Sequence, residues 1–362
     1  MRAALLRQFC SDLMDEEVNI SWPDPHEVLV RVVASGVCHT DRTMQLGAQP
    51  LPLPQILGHE VAGIVESVGS DVTFVRPGDH VVVCSSAFCG YCEWCQRGHL
   101  QHCENKNRTR PPGRPPRVAS GTGEDVVPFA GIGGFAELVL VHETALTTVP
   151  GEMPLDRAAL LGCAVITGVG AVLNTARVRP GETVVVIGCG GVGLNAIQGA
   201  RLAGAARIIA VDRLAAKLEL AKAFGATDVV DASASAPVEA VLELTGGGVD
   251  HVLEIVGRPE TIEQGFAMLR TMGTLTVVGV ARPEDRISIA PVDLLLEKRI
   301  QGSKMGSARL RIDIPLLCRF YLDGRLELDA LISDRVPLDG VNAAMVALDE
   351  SLGARTVVTF DV

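Results

Sequence analysis

Residues 183–205 read TVVVIGCGGVGLNAIQGARLAGA: an apolar run, a glycine cluster, then a helical stretch rich in alanine. An unbroken β-branched run of this length is a strand buried on both faces. Gly188-Cys189-Gly190-Gly191-Val192-Gly193 is G-x-G-x-x-G in a strand–turn–helix setting. Gly188 permits the tight turn, Gly190 lets the backbone approach a pyrophosphate, and Gly193 allows close helix–strand packing. Gly191 and Val192 open the helix, whose unpaired N–H groups and partial positive charge suit phosphates. Asp212 ends the run RIIAVD, 19 residues after Gly193. A carboxylate there accepts hydrogen bonds from a ribose 2′-OH and repels a 2′-phosphate, so NAD is expected over NADP. Arg213 opposes that choice by offering a phosphate a cation.

Outward from this turn, the runs RIIAVD, TDVVD, DHVLEIVG and GTLTVVGV alternate with helical stretches such as KLELAKAFGA and ETIEQGFAMLRTM. Strand, helix, strand in this rhythm predicts an α/β fold, a doubly wound parallel sheet covered on both faces. A last strand near RIQGSK makes it six-stranded. The expected coenzyme domain is 165–304. Residues 1–164 read instead as β-rich, with EVLVRVVASG, EVAGIVESVG and DHVVVCSS between Gly, Pro and Asp turns. From 305 to 362 a helix (IDIPLLCRFYLDGRL) and a closing strand (RTVVTF) are expected to return to that first domain. Glu104 to Pro128 is the least regular part. Its Arg108, Arg110, Arg114 and Arg117 read as a solvated surface loop.

A chain of 362 residues suits two domains, and 48% hydrophobic with 21% charged residues is an ordinary globular composition. The net charge of −11 argues against nucleic acid, which would be repelled. The N-terminus lacks the apolar core and cleavage site of a signal peptide, and no stretch reads as a membrane span of about 18 uncharged apolar residues. Ten cysteines in such a chain point to reduced thiols and metal, hence to the cytoplasm.

Four of them, Cys89, Cys92, Cys95 and Cys103, follow C-x2-C-x2-C-x7-C. Short gaps let successive thiolates converge, and the longer one brings a fourth sulfur to close a tetrahedron. Four soft ligands with no open position describe a structural Zn²⁺ site. A disulfide cluster or an iron–sulfur centre are the alternatives. Cys38 in GVCHTD, His59 in GHE and Cys163 in LLGCAVITG make a second set. Thiolate, imidazole, thiolate and one open position is the Cys2His pattern of a catalytic zinc. Singly each is a weak signal, and in isolation Cys163 reads better as a small buried residue and His59 as a satisfied core histidine.

With GVCHTD, GHEVAGIVESVG, the four-cysteine lobe, G-x-G-x-x-G and ARTVVTF in this order, the chain resembles the zinc-dependent medium-chain alcohol dehydrogenases from end to end. The resemblance implies a GroES-like β-barrel catalytic domain with a zinc lobe, a Rossmann domain, and a cleft between them. It implies two zincs per chain, one catalytic on Cys38, His59 and Cys163, the other structural on the 89–103 lobe. Glu60 becomes the carboxylate that approaches the metal when ligands exchange, and Asp41 the acid that orients the histidine ligand. Thr40 becomes the hydroxyl that bonds substrate oxygen and begins the proton path. His39 and Arg355 fall at coenzyme pyrophosphate positions, and Lys217 at one near the adenosine ribose. Ser85, Phe129, Ala130 and Val280 fall at positions lining the substrate channel, Val280 on its coenzyme side. The small Ser85 and Ala130 make room for aromatic or longer-chain primary alcohols.

One departure concerns Thr43, which stands where many family members end the proton relay with a histidine. The implied activity is reversible hydride transfer between a small-molecule alcohol and NAD. Alternatives are a thiol-adduct formaldehyde dehydrogenase, a nicotinoprotein alcohol dehydrogenase that keeps NAD bound, and a non-catalytic NAD-binding protein. The resemblance also implies a homodimer, joined through GTLTVVGV and RISIAPVDLLL as the last strands.

Overall fold

A computed structural model describes residues 1–48, 51–105, 114–349 and 354–361. It divides into two compact units, Met1–Cys163 with Arg309–Val362, and Ala164–Ala308.

In the first unit, Arg2–Leu6, Met14–Ile20, Val118–Ser120, Asp125–Pro128 and Gln55–Ile56 close a small barrel. Beside it lies a seven-stranded sheet centred on Glu27–Gly36. That strand pairs antiparallel with Glu60–Val68, with Leu138–His142 and with Arg355–Thr359. Its residues are valine-rich and buried along nearly their whole length, as expected for the middle of a sheet. The closing strand therefore docks into the sheet of the opening residues, far away in sequence.

The second unit is a six-stranded parallel sheet. Its spatial order is Asp228–Asp231, Arg207–Asp212, Thr183–Ile187, Val249–Glu254, Leu269–Val277, Arg299–Gly302. The chain starts in the middle, winds to one edge and returns to wind to the other, the doubly wound arrangement.

Several expectations need correction. The helix expected through ETIEQGFAMLRTM ends at Ala267, and Leu269 already belongs to the next strand. RISIAPVDLLL is no strand: residues 286–290 are irregular and Pro291–Leu294 is a short helix with proline at its first turn. One stretch does have the length and apolarity of a membrane span, the helical run Leu155–Ala176. Most of it is buried inside the protein, so it is a core helix rather than a lipid-facing one. The basic loop is not simply solvated either. Arg117 Nε donates to fully buried Glu27 at 2.7 Å, and Arg114 pairs with buried Asp24. Arg108 and Arg110 lie outside the described residues.

Candidate active site

The antiparallel ladder between Glu27–Gly36 and Glu60–Val68 sets Gly36 directly opposite Glu60. One strand leaves the sheet into Cys38 and the other enters it from His59, so both ligand candidates emerge at the same end. Cys38 caps the helix His39–Gln45, and Asp41 returns to accept the Cys38 N–H at 3.1 Å. The other Asp41 oxygen accepts the Gly58 N–H and lies 2.9 Å from His59 Nδ1. Asp41 is fully buried, so this ionic contact fixes the ring and leaves His59 Nε2 for a ligand role. Cys163 arrives on a widened π-helical turn, Leu161–Val165, within the core helical run.

Ligand atoms of Cys38, His59, Glu60 and Cys163 lie within 4.8 Å of one another. Two thiols, an imidazole and a carboxylate form a donor set suited to zinc. A metal binding to this set would displace protons from the thiol and the imidazole. The hydrogen bond with Cys38 raises the Cys163 thiol, with burial adding to it, while the Cys38 thiol is lowered by Cys163, Arg355 and His59 against the cost of burial. Burial opposes charge on His59, but Asp41 and Cys38 hold its pKa well above the ordinary value.

Arg355, expected at a coenzyme pyrophosphate, is found inside this cluster. Its side chain is 3% exposed and donates to Glu60 at 3.0 and 3.3 Å, with Nη2 3.6 Å from Cys38 Sγ. It reaches there because the closing strand pairs beside Gly36, Val357 opposite it. Burial lifts the Glu60 carboxyl to about 7, with Arg355 pulling the other way. Gly36 was not singled out from sequence. A Cβ on it would lie 2.2 Å from Glu60 Oε2, so only glycine leaves room for the carboxylate to fold back. A glycine at a strand end carries no local sign of what faces it.

Thr40 is exposed, its hydroxyl 3.7 Å from Cys38 Sγ. His39 is exposed beside it. Thr43 spends its proton on the His39 carbonyl at 2.8 Å, so its hydroxyl is a poor onward carrier. Phe129 stands edge-on to His59, ring centroids 5.6 Å apart at 85°. Ala130 follows in a left-handed conformation (φ 56°), exposed, and Ser85 is half-buried.

The lobe brings together Cys89, Cys92, Cys95 and Cys103, their sulfurs within 4.8 Å. Cys92 N–H donates to Cys89 Sγ and Cys89 N–H to Cys103 Sγ, both at 3.3 Å. Backbone amides lower the Cys92 thiol. Burial opposes ionisation of Cys89, but Asn105 and backbone amides bring it to about 6. Burial and the neighbouring sulfurs push Cys95 to about 12, and burial likewise raises Cys103. Two thiols drawn down and two pushed up is what four crowded sulfurs do without a shared cation, and Zn²⁺ fits the set.

In the second unit, Gly188 (φ 94°) makes the turn, and a Cβ on Gly193 would strike the Gly188 carbonyl at 1.8 Å. Gly190 faces open space, as a phosphate cradle requires, and Gly191 and Val192 begin the helix Gly191–Leu202. Asp212 accepts the Cys189 N–H at 2.8 Å and the Arg213 and Leu214 N–H groups at 2.7 and 3.1 Å. Its carboxylate thus braces the glycine turn. Arg213 is exposed and Lys217 half-buried on the following helix. Val280 is exposed at the end of the Leu269–Val277 strand and its following turn.

Comparison with known proteins bears on both units. Residues 24–151 match the alcohol dehydrogenase GroES-like domain and 191–321 the zinc-binding dehydrogenase domain. The chain is 38% identical to S-(hydroxymethyl)glutathione dehydrogenase of Saccharomyces cerevisiae, over 96% of this chain and 92% of that one. It superposes on benzyl alcohol dehydrogenase of Acinetobacter calcoaceticus with TM-score 0.93 and 34% identity, covering 99% of each chain. A zinc-binding dehydrogenase of Sinorhizobium meliloti bound to NADP gives TM-score 0.83 and 30% identity, again covering 99% of each. Two domain models, 38% identity over nearly the whole chain and two clusters of metal-ligating side chains converge: the chain is an oxidoreductase of the zinc-dependent medium-chain alcohol dehydrogenase family, with zinc and a nicotinamide dinucleotide as its cofactors.

Proposed function

We propose that this enzyme interconverts aromatic or longer-chain primary alcohols and their aldehydes, using NAD. The observation that carries the substrate class is the Phe129 ring set against His59, with the small Ala130 next to it in the chain; the small Ser85 is expected along the same channel from the family resemblance. An aromatic wall with small neighbours favours a flat or extended apolar group, each buried methylene contributing about 0.8 kcal/mol. Cys38, His59 and Cys163 would hold a zinc that would supply Lewis acidity toward the substrate oxygen, and a bound nicotinamide would supply the hydride acceptor.

The chain's own residues do the rest. Asp41 locks the His59 tautomer. Arg355 balances the anionic sulfur of Cys38 and the Glu60 carboxylate, which can then exchange toward the metal position. Thr40 is the exposed hydroxyl nearest Cys38, placed to accept the substrate proton. Phe129 keeps water from one side. A panel of benzyl, long-chain and short alcohols tests the reading: benzyl alcohol should exceed ethanol in kcat/KM. Preference for ethanol would sink it.

A second reading is favoured by the identity to the yeast enzyme, namely oxidation of a hydroxymethyl–thiol adduct. Activity confined to formaldehyde with a thiol would establish that alternative.

The coenzyme choice rests on Asp212. A charge-assisted bond worth about 2–3 kcal/mol predicts roughly 30- to 150-fold preference for NAD. Asp212→Gly should collapse it, leaving Arg213 to favour NADP. Equal wild-type use of both would refute the assignment.

A homodimer is supported by the exposed apolar Val292 and Leu295, 65% and 82% accessible, beside the open edge strand Arg299–Gly302. Light scattering should give twice, not four times, the 38.2 kDa chain mass. Six of the ten cysteines sit in the two candidate metal clusters, which supports a reducing, cytoplasmic setting.

A further inference from the structure

One short turn of the first unit ties together segments far apart in sequence. It is Glu143–Ala145, which follows the strand Leu138–His142. The Glu143 N–H donates to the His26 carbonyl, and the Ala145 carbonyl accepts the Cys84 N–H, both at 2.9 Å. The Glu143 carbonyl accepts from Arg311 Nη2 at 2.7 Å, and that guanidinium lies 3.7 Å over the Phe74 ring. The last tie reaches the cysteine lobe. Thr144 Oγ1 accepts the Phe88 N–H at 3.2 Å, and Phe88 precedes Cys89 and packs against the cysteine cluster.

His142 caps this turn, and its bonds fix the protonation of one ring atom. Thr144 N–H donates to His142 Nδ1 at 3.2 Å. A backbone N–H can only donate, so Nδ1 offers a lone pair and carries no proton. The Thr144 hydroxyl lies 2.9 Å from the same nitrogen and therefore points its own proton there. Phe88 N–H, Thr144 O–H and His142 Nδ1 thus form one directed chain. A proton on Nδ1 would set a donor against two donors. The charged or titratable groups facing the ring are Glu27, directly opposite on the neighbouring strand, Glu143 on the turn, His26 with its ring 5.8 Å away, and Arg117 from the segment after the lobe. Burial holds the His142 pKa below its ordinary value, with Glu143 and Glu27 opposing and His26 and Arg117 assisting. The neutral ring therefore contributes stability above the ordinary histidine range, and that contribution is lost as pH falls below it.

We propose that His142 is an acid-sensitive latch on the zinc lobe, joined to it through Thr144 and Phe88. Protonation at Nδ1 turns the imidazole from acceptor to donor. Thr144 N–H then loses its partner, the turn shifts, and the bond to Phe88 at the entrance of the lobe goes with it. The lobe loses part of the frame that holds Cys89. The inference rests on the reading of the lobe as a four-sulfur zinc site. Acid also protonates thiolates directly, so the latch is recognised by the difference that appears when residue 142 cannot titrate.

The test is zinc release from the two-zinc enzyme into a chromogenic chelator, with dehydrogenase activity followed in parallel to mark loss of the catalytic ion. His142→Asn puts an amide oxygen in place of Nδ1, an acceptor that does not titrate. At about pH 5.5 the wild-type lobe should release zinc about tenfold faster than that of His142→Asn, and at about pH 7.5 the two should agree within about twofold. Thr144→Ala cuts the chain between histidine and lobe. Its release should show the shallower pH dependence of His142→Asn, from a start about threefold faster than wild type. Parallel pH profiles for wild type and His142→Asn would mean that thiol protonation alone sets the release, and the latch would be wrong. A shift of equal size at both pH values marks a merely structural histidine and overturns the proposal too. If His142→Asn does not fold, Thr144→Ala decides, and a profile as steep as the wild type's rejects the latch. Wild-type protein that holds only one zinc overturns the lobe reading itself, and the latch falls with it.

Discussion

The two cysteine clusters of the first unit are built by opposite routes. Cys89 to Cys103 lie in one short segment, and backbone amides of that segment bond its own sulfurs. Cys38, His59 and Cys163 come from three distant segments, joined by a strand register, a buried aspartate and a closing strand that brings Arg355. The local cluster needs only its loop to form. The assembled cluster needs the whole sheet. Damage to the first should therefore appear as instability, and damage to the second as lost chemistry in a folded protein.

The sharpest way to break that contrast is His59→Ala. Loss of a metal ligand removes several kcal/mol of Lewis-acid stabilisation, so kcat/KM should fall by about three orders of magnitude. Its melting temperature should stay near wild type, because the lobe and both sheets are untouched. A large drop in melting temperature would mean that the assembled cluster also holds the fold.

Cys95→Ser should do the reverse. Zinc content should fall from two to one per chain. A loss of about 3 kcal/mol would lower the melting temperature by roughly 6–12 °C. Activity per remaining folded molecule should change little when assayed well below that midpoint. Retention of both metals would show that the lobe is not a four-sulfur zinc site.

Asp41→Asn tests the link between the buried acid and the histidine. An amide cannot offer the same acceptor to His59 Nδ1, so chelation should remove one zinc at 10- to 100-fold lower chelator, a magnitude of about that order for such partners. The other zinc should resist as before. Equal loss of both would show that the clusters are coupled.

Gly36→Ala is the smallest perturbation. The added methyl meets Glu60 Oε2, and shifting it should cost about 1–3 kcal/mol, read as a modest fall in kcat/KM. Glu60→Gln should be equally sensitive if the carboxylate's place is what matters. Unchanged kinetics in Gly36→Ala would mean that Glu60 has slack to move.

Legibility followed the same division. The spacing C-x2-C-x2-C-x7-C carries its own geometry, and so does the glycine turn between strand and helix. Each element depends on neighbours within a few residues. Cys38, His59 and Cys163 were readable only through likeness to a family, since no local pattern distinguishes a ligand from a core residue. The expected strand at RISIAPVDLLL failed because Pro291 starts a helical turn that apolarity alone does not reveal. The expected solvation of Arg117 failed because its partner, Glu27, lies far away in sequence.

Sequence by itself determined the alternation of strands and helices, the glycine turn and the four-cysteine lobe, because periodicity, glycine φ freedom and short ligand gaps act over a few residues. Tertiary structure alone decided that Gly36 faces Glu60 and that Arg355 enters the Cys38 cluster. Those contacts depend on strand register, and register is a property of two strands paired, which neither strand's residues state alone.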